Sequence, residues 1–295
     1  MKKYFLIVLI IIISFFVFLP KILPAKNENQ TKENYQPTKK EEAVFAIQVE
    51  SKTVFNQRAE APIFLFHHIR PFDKNLSPAE FDLTVWQNIF EEQLKFFNQQ
   101  DFHSISLQEL NNYFYQGKSL PAKPYILTFD DGYEDFYKSV WPLLEKYQTK
   151  ATIFVITGLV NQPGYLTWPQ IEELAKSDLI EFGAHTIDHK YLSLAPPSLT
   201  FYRLSQEIFG PKTELEKRTG RRVEFFSYPY GFYNQQILDL VKEAKYAGAV
   251  TTDGGVWQEA EKIYELKRLR LSNSDTAGNL DYRLKGLLSK NYFSN

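Results

Sequence analysis

Two adjacent acids and a spaced pair of histidines carry the chemistry legible in this chain. The segment Ile126-Leu-Thr-Phe-Asp-Asp-Gly-Tyr133 sets Asp130 and Asp131 at the end of an apolar run, against a glycine. Further on, His185-Thr-Ile-Asp-His189 places two imidazoles at i and i+4, directly after the apolar run Leu179 to Gly183. One carboxylate and two neutral imidazoles form a three-ligand set that leaves coordination positions open for water and substrate. A cation held that way polarises a carbonyl and brings the pKa of bound water to about 7. The second carboxylate, near but not coordinating, is then free to take the water's proton. A histidine is the natural group to protonate what departs near neutral pH. The pattern predicts a metal-dependent hydrolase. Neither HxxxH nor Asp-Asp-Gly alone would carry that reading; their joint occurrence, each after a strand-like run, does.

Such side chains must be brought together by the elements around them. From Ala61 onward, strand-like runs fall at Ile63–His67, Tyr125–Asp130, Ala151–Ile156, Ile180–His185, Glu224–Tyr228, Gly248–Thr252 and Lys267–Leu271, with a weaker one at Phe102–Ser106. Between them, amphipathic patterns predict helices over Pro78–Gln99, Leu107–Gln116, Glu134–Tyr147, Trp168–Ser177, Leu199–Thr219, Asn234–Ala247 and Thr276–Ser289. Seven or eight short strands alternating with helices predict an α/β domain with a parallel, barrel-like sheet. Active sites of such folds gather at the C-terminal ends of the strands. His67, Asp130, Asp131, His185 and Tyr230 all fall at or just past those ends.

Composition narrows the setting. The chain has 295 residues and a net charge of −1, which gives no electrostatic case for nucleic acid. It has no cysteine, so a metal must take nitrogen and oxygen ligands. Its 25 Phe and 18 Tyr suit aromatic sugar platforms, but a phenylalanine-rich core gives the same count and is the plainer reading. Lys2 and Lys3 precede an uncharged run from Tyr4 to Pro20. That run is at the short end of a membrane span and puts the rest of the chain outside the cytoplasm. An uncleaved single-pass anchor is the expectation. A cleaved signal peptide, giving a secreted protein, is the rival, with Leu23 poorly suited to the cleavage site. The expected organisation is an anchor or signal segment over residues 1–24, an extracytoplasmic linker over 25–60, and a catalytic domain over 61–290.

A resemblance joins these motifs. Thr128-Phe-Asp-Asp-Gly132 and His185-Thr-Ile-Asp-His189 look like the first two motifs of the polysaccharide deacetylases, the NodB-homology domain of carbohydrate esterase family 4. Phe226-Ser-Tyr-Pro-Tyr-Gly231 resembles the third. The likeness runs from about Ala61 to Leu271, with three motifs in order. It implies a distorted (β/α)7–8 barrel that removes acetyl groups from sugars with a divalent metal ion, zinc first, cobalt or nickel as alternatives. Carried over by position, Asp130 is the general base; Asp131, His185 and His189 hold the metal; the backbone N–H of Tyr230 helps hold the oxyanion.

Two departures mark a subgroup. Where many members carry an arginine that orients the catalytic Asp, Ser227 or Tyr228 stands here, and no histidine follows His189. The stretch Pro62-Ile-Phe-Leu-Phe-His-His-Ile69 resembles the first strand of enzymes acting on β-1,6-linked poly-N-acetylglucosamine, in which the acid histidine comes early. His67 is the expected acid and His68 the alternative, whose plainer role is packing or hydrogen bonding near the site. Arg268 and Arg270 could replace the missing arginine, although surface pairing is the default expectation for both. His103 reads as a surface strand residue and Asp188 as a solvated acid. The expected substrate is an acetylated polysaccharide, poly-N-acetylglucosamine or the glycan of peptidoglycan. A membrane-tethered sugar-binding protein of the same fold that has lost catalysis is the competing function; metal-dependent acetate release separates the two.

Overall fold

The computed structural model describes residues 53–192 and 201–289. The apolar N-terminal segment, the linker up to Lys52 and the expected start of a helix at Leu199 lie outside them. Among the described residues, no helix is long and apolar enough to cross a membrane.

The strands are β1 (Arg58–Glu60), β2 (Ile63–Phe66), β3 (His68–Arg70), β4 (Thr84–Trp86), β5 (His103–Ser104), β6 (Pro124–Phe129), β7 (Ala151–Val155), β8 (Ile180–Ala184), β9 (Phe225–Ser227), β10 (Gly248–Val250), β11 (Trp257–Glu259) and β12 (Leu269–Arg270). The main sheet runs β10-β9-β8-β7-β6-β2-β12, with β5 added to β6, and its pairings are parallel. It is a curled half-barrel with helices packed around it. β2, β6 and β7 are buried along nearly their whole length, as strands covered on both faces must be, which is why they read as continuous apolar runs.

Helix starts follow from capping chemistry. Ser106 with Glu109, and Thr167 with Gln170, form reciprocal boxes at the heads of Leu107–Gln116 and Trp168–Leu174. Asn234 accepts from the Ile237 N–H at the start of Gln235–Glu243. Phenylalanines fill the interior: Phe66 stacks on Phe129 at 5.2 Å, and Phe129 meets Phe136 edge-on. Among the described residues, most of the phenylalanine is core, while most tyrosines are half-buried or exposed.

Three features depart from the expected elements. The single helix expected over Pro78–Gln99 is broken into Pro78–Leu83 and Gln87–Gln99 by β4, whose Thr84, Val85 and Trp86 pair with His68–Arg70. Their β-branched and aromatic character favours a strand once a partner edge is present. The stretch Glu134–Tyr147 begins as a π-turn over Phe136–Val140 before Trp141–Tyr147 becomes regular. The antiparallel pair β1–β11 had no periodicity to announce it.

One chain segment ties the two ends of the curled sheet. Leu266 donates to the Ala249 carbonyl and accepts from the Thr251 N–H, while Leu269 and Arg270 pair with Phe64 and Leu65. Arg268 sits inside that seam.

Candidate active site

Strand ends deliver the predicted residues to one place. Asp130 follows β6 and its N–H donates to the Phe66 carbonyl at the end of β2. His185 follows β8 and its N–H donates to Val155 O. Ser227 ends β9. Four non-glycine residues here hold left-handed φ: Asp131 at 75°, Thr186 at 65°, His189 at 55° and Tyr230 at 60°. Each such residue costs about 1–3 kcal/mol, and strain of this kind is held where a site needs it. The loop bearing His189 is fixed by Glu207, which accepts from the N–H groups of Ile187 and Asp188 at 2.9 and 3.0 Å. Gly158 lets that loop approach, since a Cβ there would lie 2.5 Å from the Ile187 carbonyl. Gly231 plays a similar part at the Tyr230 turn, where a Cβ would meet Thr252 Oγ1 at 2.1 Å.

The two aspartates are bonded differently. Asp130 receives both ends of a guanidinium, Arg268 Nη1 to Oδ1 at 2.8 Å and Nη2 to Oδ2 at 2.7 Å, and Ser227 Oγ donates to Oδ2 at 3.2 Å. Arg268 is itself fully enclosed and donates through Nε to the Thr251 carbonyl at 2.7 Å. Burial, the largest single influence, would raise the Asp130 pKa; the Arg268 charge and hydrogen bonds together with the nearby His185 and His67 outweigh it and hold the group below the ordinary carboxylate range.

Among the described residues, Asp131 meets no lysine or arginine, only the two imidazoles. Its Oδ1 is buried without a hydrogen-bond donor, 3.3 Å from His185 Nε2 and 3.5 Å from His189 Nε2. The three donor atoms lie within 4.8 Å of one another. His185 Nδ1 lies 2.8 Å from the Ser227 carbonyl, which can only accept, so Nδ1 carries the proton and Nε2 presents its lone pair when the ring is neutral. Burial, followed by the His185 charge, pushes His189 down to about 4, so that ring is neutral at pH 7. For His185, burial lowers the pKa, but the close approach of Asp131 and the two aspartate charges overcome it and raise the value. A convergent carboxylate and two imidazoles, with one carboxylate oxygen left orphaned, fit a divalent cation. Asp131, His185 and His189 are the residues that would hold it.

The histidine pair separates cleanly. His68 is buried and tied at both nitrogens: Nδ1 lies 2.6 Å from Asp135 Oδ2, and Arg70 Nη2 donates to Nε2 at 3.1 Å. Arginine can only donate, so the imidazole is neutral and its acceptor nitrogen is taken. His67 follows β2, within the fields of Asp130, Asp131 and Arg268; burial first, with the Arg268 and Arg270 charges, lowers its pKa against the two aspartates. Burial first, then the Asp131 charge, push the Tyr133 pKa up. The Tyr230 ring lies over His189 at 4.6 Å and stacks on Tyr191 at 3.8 Å.

The expectation of surface pairing holds for Arg270, which meets Asp82, but not for Arg268. Arg268 takes the place of the missing arginine. Its partner Asp130 is distant in sequence, so only the sheet's closure joins them. His103 and Asp188 sit at the surface, with Asp188 paired to Lys190. Trp168 packs at its helix start beneath Arg218, with 4.9 Å from the guanidinium carbon to the ring. Sequence reasoning did not single out Asp135 or Tyr133; their place beside the Asp-Asp-Gly turn was the available signal.

Comparison with known proteins agrees with this geometry. A family model described as polysaccharide deacetylase matches residues 117–249. YxkH of Bacillus subtilis (strain 168), whose name assigns it to the polysaccharide deacetylases, is 30% identical over 72% of this chain and 72% of its own length. A Staphylococcus aureus (strain MRSA252) poly-beta-1,6-N-acetyl-D-glucosamine N-deacetylase is 30% identical over 55% of this chain, and the match spans 58% of that protein. Among solved structures, the Streptococcus pyogenes deacetylase PplD in complex with acetate superposes with a TM-score of 0.67 at 29% identity, covering 77% of this chain and 97% of that one. IcaB from Ammonifex degensii shares the fold, with a TM-score of 0.64 at 22% identity over 75% of this chain and 95% of that one.

Proposed function

The chain belongs to the polysaccharide deacetylase family, and from that premise we propose that it hydrolyses the N-acetyl amides of N-acetylglucosamine residues in a cell-surface polysaccharide, releasing acetate. The observation that carries the reading is the division between neighbours: Asp131 faces two imidazoles with a free oxygen, while Asp130 faces a guanidinium. A divalent ion, zinc by the softness of the two imidazoles, would be held by Asp131, His185 and His189. When bound, that ion supplies Lewis-acid polarisation of the acetyl carbonyl and acidification of water.

The protein's own residues do the rest. Asp130 takes one proton from the attacking water. Its Oδ2 accepts from both Arg268 and Ser227, while Oδ1 accepts from Arg268 alone and keeps a second lone pair for the incoming proton. The guanidinium fixes the carboxylate's plane and keeps it ionised, at the expense of some basicity. The water oxygen bonds to the acetyl carbon, and the Tyr230 backbone N–H donates to the oxygen that becomes negative, a contribution of about 3 kcal/mol for one such donor. His67 gives its proton to the nitrogen as the C–N bond breaks, leaving a free amine on the sugar and acetate. His68 is unsuited to that step because both its nitrogens are engaged.

In this reading the fold is a distorted (β/α) barrel, and the domain stands outside the cytoplasm on the segment Tyr4–Pro20, or is secreted if that segment is removed. Membrane fractionation of the expressed full chain tests the last point, and recovery only in the cytosol would refute it. The main test is acetate release from β-1,6-linked poly-N-acetylglucosamine and from chitooligosaccharides, with and without chelator. Wild type should turn over only with metal, and Asp130→Asn should bind zinc yet release no acetate. Near wild-type turnover by that variant would remove Asp130 as the base.

A further inference from the structure

His185 and His189 stand at i and i+4, a spacing that a helix would bring onto one face. Here they sit on a loop, with Thr186 and His189 at left-handed φ of 65° and 55°. A residue branched at Cβ, such as threonine, is ill-suited to that region. The loop's own preferences therefore do not bring the two Nε2 atoms to their separation of 3.1 Å. Something outside the loop must hold it.

The contacts of its backbone show what does. The Thr186 carbonyl accepts from the Thr157 N–H at 3.2 Å, and the Ile187 carbonyl from the Gly158 N–H at 3.0 Å. The His189 N–H donates to Thr186 Oγ1 at 2.9 Å. The N–H groups of Ile187 and Asp188 converge on a single atom, Glu207 Oε2, at 2.9 and 3.0 Å. Glu207 is buried on the helix Phe201–Thr219, and that helix is pressed against the same loop. A Cβ at Gly210 would lie 3.0 Å from Ile187 Cδ1. The other Glu207 oxygen meets Lys190 Nζ only at 3.9 Å, and Lys190 is paired with Asp188. A buried carboxylate without a close cation is costly, and the hydrolytic mechanism gives this one no work at the reacting atoms.

We propose that Glu207 is a positioning residue for the cation site: by accepting both N–H groups it holds the loop in its ligand-bearing form before the ion arrives. His189 then joins Asp131 and His185 without a rearrangement. The proposal rests on the reading of Asp131, His185 and His189 as metal ligands. An ion that meets a loop only fractionally in the competent form binds more weakly by that fraction. Glu207 removes that loss.

The test is zinc affinity of the purified protein by isothermal titration calorimetry, which needs no turnover. Partners that orient metal ligands typically account for about 10–100-fold in affinity. Glu207→Ala should weaken zinc binding by a factor in that range. Glu207→Gln keeps an oxygen able to accept both N–H groups and should bind within about threefold of wild type. A role confined to fold stability would lower the urea midpoint of the zinc-free chain and leave affinity unmoved. Should Glu207→Ala not fold, hydrogen exchange of the zinc-free wild type, read by NMR, replaces it. The Ile187 and Asp188 amides should already be protected there. Glu207→Ala affinity within about twofold of wild type overturns the proposal, as does a loss in Glu207→Gln equal to that in Glu207→Ala. Unprotected amides in the zinc-free chain overturn it too. In all three cases the hydrolytic reading stands; wild type that binds no zinc overturns both.

Discussion

Asp130, buried, and Glu181, half-buried, are carboxylates beside the same curled sheet, at opposite ends of its strands, and their pKa values shift in opposite directions. Asp130, past the C-terminal end of β6, meets a guanidinium through two parallel bonds and is held below the usual carboxylate range. Glu181, near the start of β8, meets neutral donors: the Leu107 and Gln108 N–H groups at 3.0 Å each and the Thr152 hydroxyl at 2.6 Å. Burial pushes it up to about 7 against those three bonds. It borders a polar cavity of about 510 Å³ that Lys150 and Arg221 also line, but Lys150 pairs with Glu109. Neutral donors soften the loss of water; a paired cation reverses it. The end of the sheet with a guanidinium in place is the end where a carboxylate can work as a charged base.

The strongest way to break that comparison is to take the guanidinium away. Arg268→Met should destabilise the fold by about 3–5 kcal/mol at pH 7, because a buried charge loses its partner, and should abolish acetate release. Urea unfolding at pH 7 measures the first effect, and wild-type stability would end the argument that pairing keeps Asp130 ionised.

The opposite shifts also imply opposite pH dependences. The folded chain binds the Glu181 proton more tightly than the unfolded chain, so stability from this group is full below about pH 4.5 and is lost as pH rises to about 7. Asp130 contributes stability above the ordinary carboxylate range, and that is lost as pH falls below it. Glu181→Gln should flatten the first limb and leave the second. Unfolding free energies at intervals from pH 4.5 to 8 would show it, and an unaltered slope in the variant would contradict the assignment. The smallest effect expected is that of Ser227→Ala, which removes a 3.2 Å donor from a carboxylate still held by Arg268. A loss of about 1 kcal/mol and a few-fold drop in kcat should result; a collapse of activity would give Ser227 a larger part than the comparison allows.

The same contrast explains what could be read in the sequence. Asp130, Asp131, His185 and His189 were legible because each follows an apolar run at a strand end, and local pattern is enough to put them there. The strands themselves were legible for the same reason, to within a residue or two at most ends. Arg268 was not, because its meaning depends on which edge the last strand joins, a pairing with Phe64 and Leu65 that leaves no local mark. His68 was separable from His67 only once Asp135 and Arg70 were in place around it. The strand β4 was hidden inside a helical pattern because its partner, His68–Arg70, is itself only three residues long.

The seam that closes the sheet also sets the order in which the enzyme becomes complete. Asp130 is made first and Arg268 follows 138 residues later. During synthesis, a chain that has not yet delivered Arg268 holds an ionised carboxylate that must keep its water, so the middle of the domain cannot dry. Competence therefore waits for Arg268. A chain cut before Arg268, whatever motifs it carries, lacks the partner that Asp130 needs.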